Sequence, residues 1–453
     1  MSAITISGRV FMNGASRWSP KGLCYQPTND VDPISDDNYA TIDALLGKNG
    51  DWTKLGINAI RVYQVDPSSA TSHDKVMSLL ASKGIYVMIG CVNSQVALPR
   101  DGTYPCAVLD RVKSVVDKFQ KYDNVLSFSV SNELLYATNQ PNVAAAAKAL
   151  VRDTKAYIVQ KGYRSIPVGL VLRDDPSATG ANTLAAAYFY ACGSASDRVD
   201  YVAYNQYRWC DYTSTPPQGS INAWYELYQS FKDFPVPVYF GEYGCNSSSN
   251  RNWTQVPYLF GTTQLTPSGA SAVSMSDVIS GGFAFRYIQH TENLGLVSTS
   301  GTPILGNGFA DLGTQYAAIT SFAASSVAGT DPLPCSTGYN PTLPTACGGS
   351  SPSGSTITIK VTNEVLPATS ISWSYSTDTN KNGATWIPIK TLTPGAPTTD
   401  IDVPTDAVWL SMAYKDVNSN QWYGGCMIAM SSVSAGDTVH GAWVANQGTC
   451  PLN

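Results

Sequence analysis

Across the first 330 residues, short apolar runs rich in β-branched and aromatic side chains recur, most of them closing on polar positions. Eight stand out: KGLCYQP (21–27), INAIRVYQV (57–65), GIYVMIG (84–90), VLSFSVSNE (125–133), IPVGLVL (166–172), YVAYNQY (201–207), VPVYFGEYG (236–244) and GGFAFRYIQ (281–289). Continuous rather than alternating hydrophobicity predicts strands buried on both faces, the pattern of a parallel sheet. Their starts lie roughly 25 to 45 residues apart, enough for a crossover helix each time. The clearest helix, VAAAAKALVRDTKAYIVQK (143–161), is dense in helix formers and follows Pro141. These elements predict a (β/α)8 TIM barrel over residues 1–330. A doubly wound open sheet is the alternative, but no G-x-G-x-x-G or P-loop follows the first strand.

The pattern then changes. Over 331–355, 17 of 25 residues are Pro, Gly, Ser or Thr, which predicts a linker, partly stapled by Cys335 and Cys347. Beyond it, TITIKV (356–361), ISWSYS (371–376), TWIPIK (385–390), AVWLSMAY (407–414) and GGCMIAM (424–430) alternate with turn-rich segments. That predicts a small all-β, sandwich-like accessory domain over 356–453. It holds Trp373, Trp386, Trp409, Trp422 and Trp443, half of the chain's ten tryptophans. Exposed indoles would stack on sugars, whereas buried ones would simply fill a thin sandwich core. The core reading is preferred for most of the five.

Composition narrows the class of protein. The chain has 453 residues, 43% hydrophobic and only 13% charged, with a net charge of −5 and no basic run. This describes a folded chain with no nucleic-acid or anionic-membrane partner. Three histidines are too few and too dispersed for a histidine-rich metal site, so no metal and no cofactor are expected. Ten cysteines without a C-x-x-C pair favour disulfides formed in an oxidising compartment. Two sequons, at Asn246 and Asn252, agree with secretion, although such triplets also arise by chance. Met1–Ser7 lacks the features of a secretory leader and is read as the start of a mature chain. The C-terminus carries no hydrophobic tail, so an anchor on a precursor would not be visible here.

Candidate chemistry lies where barrel enzymes keep it, at the C-terminal ends of strands. Gln26, Tyr63, Asn132, Glu133, Asn205, Tyr207, Glu242, Tyr243 and Tyr287 all fall there. Glu133 and Glu242 each close a strongly apolar run, which is costly unless the carboxylate is paired or functional. Two carboxylates across a barrel mouth are what glycoside hydrolysis needs, one protonated for the leaving oxygen and one ionised. The bland alternative is that each glutamate merely ends its strand in solvent.

The same segments carry a resemblance. KGLCYQP, LGINAIRVYQVDP (55–67), NVLSFSVSNE (124–133), YNQYRWC (204–210), VPVYFGEYGCN (236–246) and ISGGFAFRYIQHTENLGLV (279–297) resemble the fungal β-1,3-glucanosyltransferases of glycoside hydrolase family 72. The resemblance spans about the first 320 residues. It implies a retaining enzyme in which Glu133 is the acid/base, Asn132 bonds the donor sugar's 2-hydroxyl, and Glu242 is the nucleophile. Tyr207 is implied to reach the nucleophile, while Gln26, Tyr63 and Tyr287 are implied near the cleaved sugar. A raised pKa at Glu133 and an ionised Glu242 beside Arg61 and Tyr207 fit that division. Arg61 reads equally well as a plain barrel salt bridge.

Some positions depart from the family. Ser131 replaces a glycine before the Asn-Glu pair, and Gly90-Cys91 stand where an aspartate ends the third strand. His73-Asp74-Lys75-Val76-Met77 lacks a family cysteine, and Gln289-His290 replace paired acids. The resemblance further implies disulfides Cys210–Cys245 and Cys192–Cys335. Arithmetic on the remainder suggests Cys426–Cys450 and Cys91–Cys106, leaving Cys24, read as a small core residue, and Cys347 unassigned.

The expected protein is a secreted or cell-wall monomer that cleaves β-1,3-glucan or laminari-oligosaccharides and transfers the fragment to a glucan acceptor. The alternatives are an endo-β-1,3-glucanase, with water as acceptor, and a non-catalytic glucan-binding wall protein.

Overall fold

In the computed structural model the described residues are 1–27, 32–134, 141–174, 181–210, 216–245, 251–322, 333–336, 340–344, 356–363, 368–376, 387–392, 399–404, 408–416, 422–434 and 438–441. They form two compact units, Met1–Gly349 and Ser350–Asn453.

All eight apolar runs of the first unit are strands: β1 (Lys21–Cys24), β2 (Ala59–Val62), β3 (Tyr86–Gly90), β4 (Val125–Asn132), β5 (Val168–Arg173), β6 (Tyr201–Asn205), β7 (Val238–Tyr243) and β8 (Ile279–Ala284). Each pairs in parallel with its sequence neighbour, and β8 pairs with β1 to close the barrel. The (β/α)8 barrel expected from the sequence is therefore the fold. β2, β3, β6, β7 and β8 are buried at every position, as strands covered by side chains inside and helices outside must be.

The helices sit between the strands. They include α1 (Tyr39–Leu46), α2 (Asp51–Leu55), α3 (Asp74–Ser82), α4 (Cys106–Phe119), α5 (Pro141–Gln160), α6 (Ala181–Ala191), α7 (Gln218–Phe231), α8 (Val256–Leu259) and α9 (Phe309–Ala318). α4 shows the usual logic: Val108, Leu109, Val112, Val115, Val116 and Phe119 recur at helical spacing and all face the core. No helix among the described residues is long and apolar enough to cross a membrane.

One element has no counterpart in the sequence reading. Ile4–Ser7, Val10–Asn13 and Ser16–Trp18 form a small antiparallel sheet ahead of β1. Its strands have three or four residues, too few for a period-2 pattern to register. Ile4, Phe11 and Trp18 join Tyr86, Tyr201, Tyr239 and Phe283 in one apolar cluster. Trp18 meets Tyr86 edge-on at 5.1 Å and Phe11 meets Tyr239 at 5.6 Å. Tyr86 and Tyr201 begin their strands, so this sheet plugs the N-terminal end of the barrel and leaves the opposite end open.

In the second unit, β9 (Thr356–Asn363), β12 (Thr399–Pro404) and β15 (Thr438–Gly441) make one sheet. β10 (Ala368–Ser376), β11 (Ile387–Leu392), β13 (Trp409–Asp416) and β14 (Trp422–Ala429) make another, wholly antiparallel. Val361, Ile401 and Val439 from the first share one core with Trp373, Leu410 and Ile428 from the second, a sandwich arrangement. Trp373 is fully buried and Trp409 half-buried, whereas Trp386 and Trp443 lie outside the described residues.

Cys192–Cys335 and Cys210–Cys245 are disulfides, each with its Cα atoms 4.9 Å apart. Cys426 is disulfide-bonded, but the expected partner Cys450 lies outside the described residues, as do Cys347 and Asn246. Pairing of Cys91 with Cys106 does not occur. Cys91 is a free thiol packed in the core just past β3, whereas Cys106 opens α4 in the outer layer and is bonded elsewhere. Nearness in sequence misled here, because the intervening loop carries the second cysteine from the inner layer to the outer. Cys24 is likewise free and buried inside the barrel.

Candidate active site

At the open end, residues at the C-terminal ends of β2, β4, β6 and β7 converge on one hydrogen-bond network. Arg61, the third residue of β2, lies almost wholly buried at its centre. Its Nη1 donates to Glu242 Oε1 at 3.1 Å, to Asn205 Oδ1 at 3.1 Å and to the Gly241 carbonyl at 2.9 Å. Its Nη2 donates to Asn132 Oδ1 at 2.6 Å. Burial opposes the Arg61 charge, but Tyr63 and Glu242 outweigh it and raise its pKa. Arg61 is thus neither only a salt bridge nor only a carboxylate clamp, for it ties together the ends of four strands.

Gly241 makes that geometry attainable. A Cβ there would lie 2.7 Å from Asn205 Oδ1 and 3.2 Å from Arg61 Nη1. Only a bare backbone lets the guanidinium reach the strand carbonyl.

Glu242 is buried and has three donors. Oε1 accepts from Arg61 and from the Tyr63 hydroxyl at 2.8 Å, and Oε2 accepts from the Tyr207 hydroxyl at 2.7 Å. Burial pushes both tyrosines well above their ordinary values, opposed at Tyr63 by the Arg61 charge and reinforced at Tyr207 by Glu242, so they stay protonated and remain donors. The Tyr63 ring lies under the Arg61 guanidinium, 4.3 Å away. The Cys210–Cys245 bridge ties the chain three residues past Tyr207 to the chain three residues past Glu242.

Glu133 is held differently. It lies one residue beyond β4, half-exposed, with a left-handed backbone (φ 49°) that is uncommon outside glycine. Its N–H donates to the Val171 carbonyl at 2.9 Å. Oε1 accepts from Asn205 Nδ2 at 2.8 Å, and Oε2 has no partner among the described residues. Burial and then the Glu242 charge raise its pKa, opposed by Asn205, Arg61 and Arg173.

Other expected site residues divide. Asn132 stands exposed beside Glu133 with its carbonyl taken by Arg61 and Asn205, and its amide nitrogen has no partner among the described residues. Gln26 is buried, and its Oε1 receives the Tyr63 N–H at 3.2 Å. Tyr287 is not brought to the carboxylates, because its hydroxyl donates to Asp51 at 2.8 Å and its ring packs on Tyr25 and Trp52. The strand-eight aromatic at the mouth is Phe285, half-exposed and edge-on to Tyr207 at 6.1 Å. Phe285 was missed; its signal was its place two residues nearer the strand end. Asn205 appeared only as one polar strand end among several, and nothing in the sequence marked it as the bridge between the two glutamates.

Two departures from the family now have a setting. A Cβ on Gly90 would lie 2.0 Å from the Tyr63 carbonyl oxygen, so this strand end admits no side chain in its present path. His290 Nε2 lies 3.0 Å from the Gln26 and Pro27 carbonyls and 3.0 Å from Arg286 Nη2, while Gln289 Oε1 accepts the Gly295 N–H. These residues brace the β8 loop against the β1 loop rather than facing the carboxylates.

Comparison with known proteins places this network in a family. Residues 1–320 match the glucanosyltransferase family, glycoside hydrolase family 72. The chain is 34% identical over 330 residues to the 1,3-β-glucanosyltransferase GAS5 of Saccharomyces cerevisiae, covering 70% of this chain and 63% of that protein. It is 33% identical over 310 residues to the 1,3-β-glucanosyltransferase gel1 of Aspergillus fumigatus, covering 67% of this chain and 63% of that one. Among solved structures it resembles a mutant of Gas2p of Saccharomyces cerevisiae in complex with laminaritetraose and laminaripentaose. The TM-score is 0.63 at 26% identity, over 77% of this chain and 75% of that one. The chain thus spans less than two thirds of the length of these two curated relatives. With its barrel matched from end to end and its paired glutamates at the open mouth, the chain belongs to the glucanosyltransferases of glycoside hydrolase family 72.

Proposed function

We propose that this protein is a retaining β-1,3-glucanosyltransferase that uses Glu242 as nucleophile and Glu133 as acid/base. The observation that carries this reading is the opposed environments of two glutamates joined through Arg61 and Asn205. One carboxylate has donors on both oxygens; the other has a raised pKa and an oxygen with no partner among the described residues.

The chemistry follows from unused lone pairs. Both in-plane lone pairs of Glu242 Oε1 are engaged by Arg61 and Tyr63, whereas Oε2 has only Tyr207. Oε2 therefore attacks the anomeric carbon. As that bond forms, the bond to the glycosidic oxygen breaks, and Glu133 delivers its proton to the departing oxygen. In the second step Glu133 takes the proton of an acceptor's 3-hydroxyl. The new sugar–oxygen bond replaces the bond to Glu242. Such a mechanism expects carboxyl carbons roughly 5–5.5 Å apart. The amide nitrogen of Asn132, with no partner among the described residues, suits the donor's 2-hydroxyl, and Tyr63, Tyr207 and Phe285 offer rings to the sugars.

Transfer wins over hydrolysis when a bound acceptor is well oriented, since effective molarities of about 10⁵ M or more exceed that of water. Incubating a defined laminari-oligosaccharide and following products by mass decides the point. Products longer than the substrate are expected; only shorter ones, at every substrate concentration, would make the protein an endo-β-1,3-glucanase. No turnover at all would leave a glucan-binding wall protein. The disulfides suit a secreted or cell-wall location, and residues 356–453 act as an accessory domain joined by the 331–355 linker.

A further inference from the structure

We infer that Asn205 is a positioning residue that dictates which oxygen of Glu133 carries the catalytic proton, and that Arg61 enforces this choice. The inference rests on the assignment of Glu133 as the acid/base.

An asparagine amide can present either its oxygen or its nitrogen to a neighbour, and the surroundings decide which. Arg61 has donors only, so the side it faces must be the oxygen. That leaves both Nδ2 hydrogens for the other side, where the partners are Glu133 Oε1 at 2.8 Å and Asn132 Oδ1 at 3.4 Å. A hydroxyl on Oε1 would have to turn its hydrogen away from the N–H donor and would offer that donor a weaker acceptor than a carbonyl oxygen does. The proton of neutral Glu133 is therefore favoured on Oε2, the oxygen with no partner among the described residues. Transfer leaves the negative charge shared with Oε1, where the same N–H stabilises it. The acceptor's proton then returns to Oε2, ready for the next cycle. Because Arg61 Nη1 also bonds Glu242, one guanidinium fixes both the nucleophile and the acid's orientation. The charged or titratable groups acting on Glu133 are Glu242 from β7, Arg61 from β2, Arg173 from β5 and Tyr207 beyond β6.

The test compares two donors of unequal need for an acid. A laminari-oligosaccharide requires protonation of its leaving oxygen, and a 2,4-dinitrophenyl laminari-oligosaccharide does not. Asn205→Ala removes the donor. Asn205→Asp keeps the shape and the contact with Arg61 but invites the Glu133 proton onto Oε1. Turnover of the natural oligosaccharide is expected to fall roughly 10- to 100-fold, more for Asp than for Ala, within the range general acid catalysis supplies. Release of dinitrophenol in the first turnover should change by no more than a few fold. The basic limb of the pH profile should move up, since a donor favouring the charged form has gone. Equal losses on both donors with an unmoved pH profile would show a merely structural role and overturn the inference. Glu133→Gln is the control for the underlying assignment: it must spare dinitrophenol release. If it abolishes both reactions alike, Glu133 is not the acid and this inference falls with it.

Discussion

The ends of β4 and β7 carry the same residue type, and the barrel treats them in opposite ways. Glu242 lies within its strand, buried, with donors on both oxygens. Glu133 lies past the end of its strand on a left-handed backbone, with one donor and an open oxygen among the described residues. A fixed anion and a movable proton need these different supports. The anion must not relax while its charge is used, and the acid must gain and lose charge at little cost.

The largest test of that contrast replaces each glutamate by glutamine. Both changes should lower oligosaccharide turnover by about 10⁴-fold or more, so activity alone does not separate them. Stability does. Glu242→Gln leaves the buried Arg61 charge without its counter-charge and should cost about 3 kcal/mol in urea unfolding. Glu133→Gln should melt at the wild-type temperature or above it at neutral pH. The folded-state pKa of Glu133 is raised, so its carboxyl favours folding at low pH and loses that advantage as pH rises through the raised value. Glutamine does not titrate, and the deficit at neutral pH disappears. If both variants melt alike, the two supports are not distinct.

Gly90→Ala comes next. Its Cβ would strike the Tyr63 backbone, moving the residue that bonds Glu242 while leaving Glu133 untouched. About 2 kcal/mol of stability and roughly tenfold or more in turnover should be lost, by overpacking and misplacement. Dinitrophenol release should fall as much as oligosaccharide turnover, marking the nucleophile's side of the site.

Removing single hydroxyls is a gentler probe. Tyr63→Phe and Tyr207→Phe should each reduce turnover about tenfold, the worth of one hydrogen bond to a charged group. The Tyr207 variant should be the more impaired, because that hydroxyl touches the attacking oxygen. The smallest effect is a displacement on the pH axis. kcat/KM should decline on the alkaline side at a pH above the ordinary glutamate value of 4.5, as Glu133 loses its proton. This limb should be absent when the dinitrophenyl donor is used.

The amino-acid sequence by itself determined the barrel, because continuous apolar runs at crossover spacing leave few other ways to bury both faces of every strand. It also determined where the two glutamates would fall, since polar residues closing such runs must emerge at one end. The short N-terminal sheet escaped because three- and four-residue strands carry no periodicity, and only the barrel floor beneath them makes their aromatic residues a core. Tertiary structure alone decided the partners. Arg61, Asn205 and Glu242 are separated by 144 and 37 residues along the chain, and no local pattern tells that one guanidinium will reach both. The same holds for Tyr287 against Phe285 and for Cys91 against Cys106. In each pair the choice depends on which layer of the barrel a side chain enters after its strand has ended. Inside the strands the pleat and the closed hydrogen-bond ladder impose direction. Past their ends direction comes from contacts between distant segments, and there the chemistry of this protein is arranged.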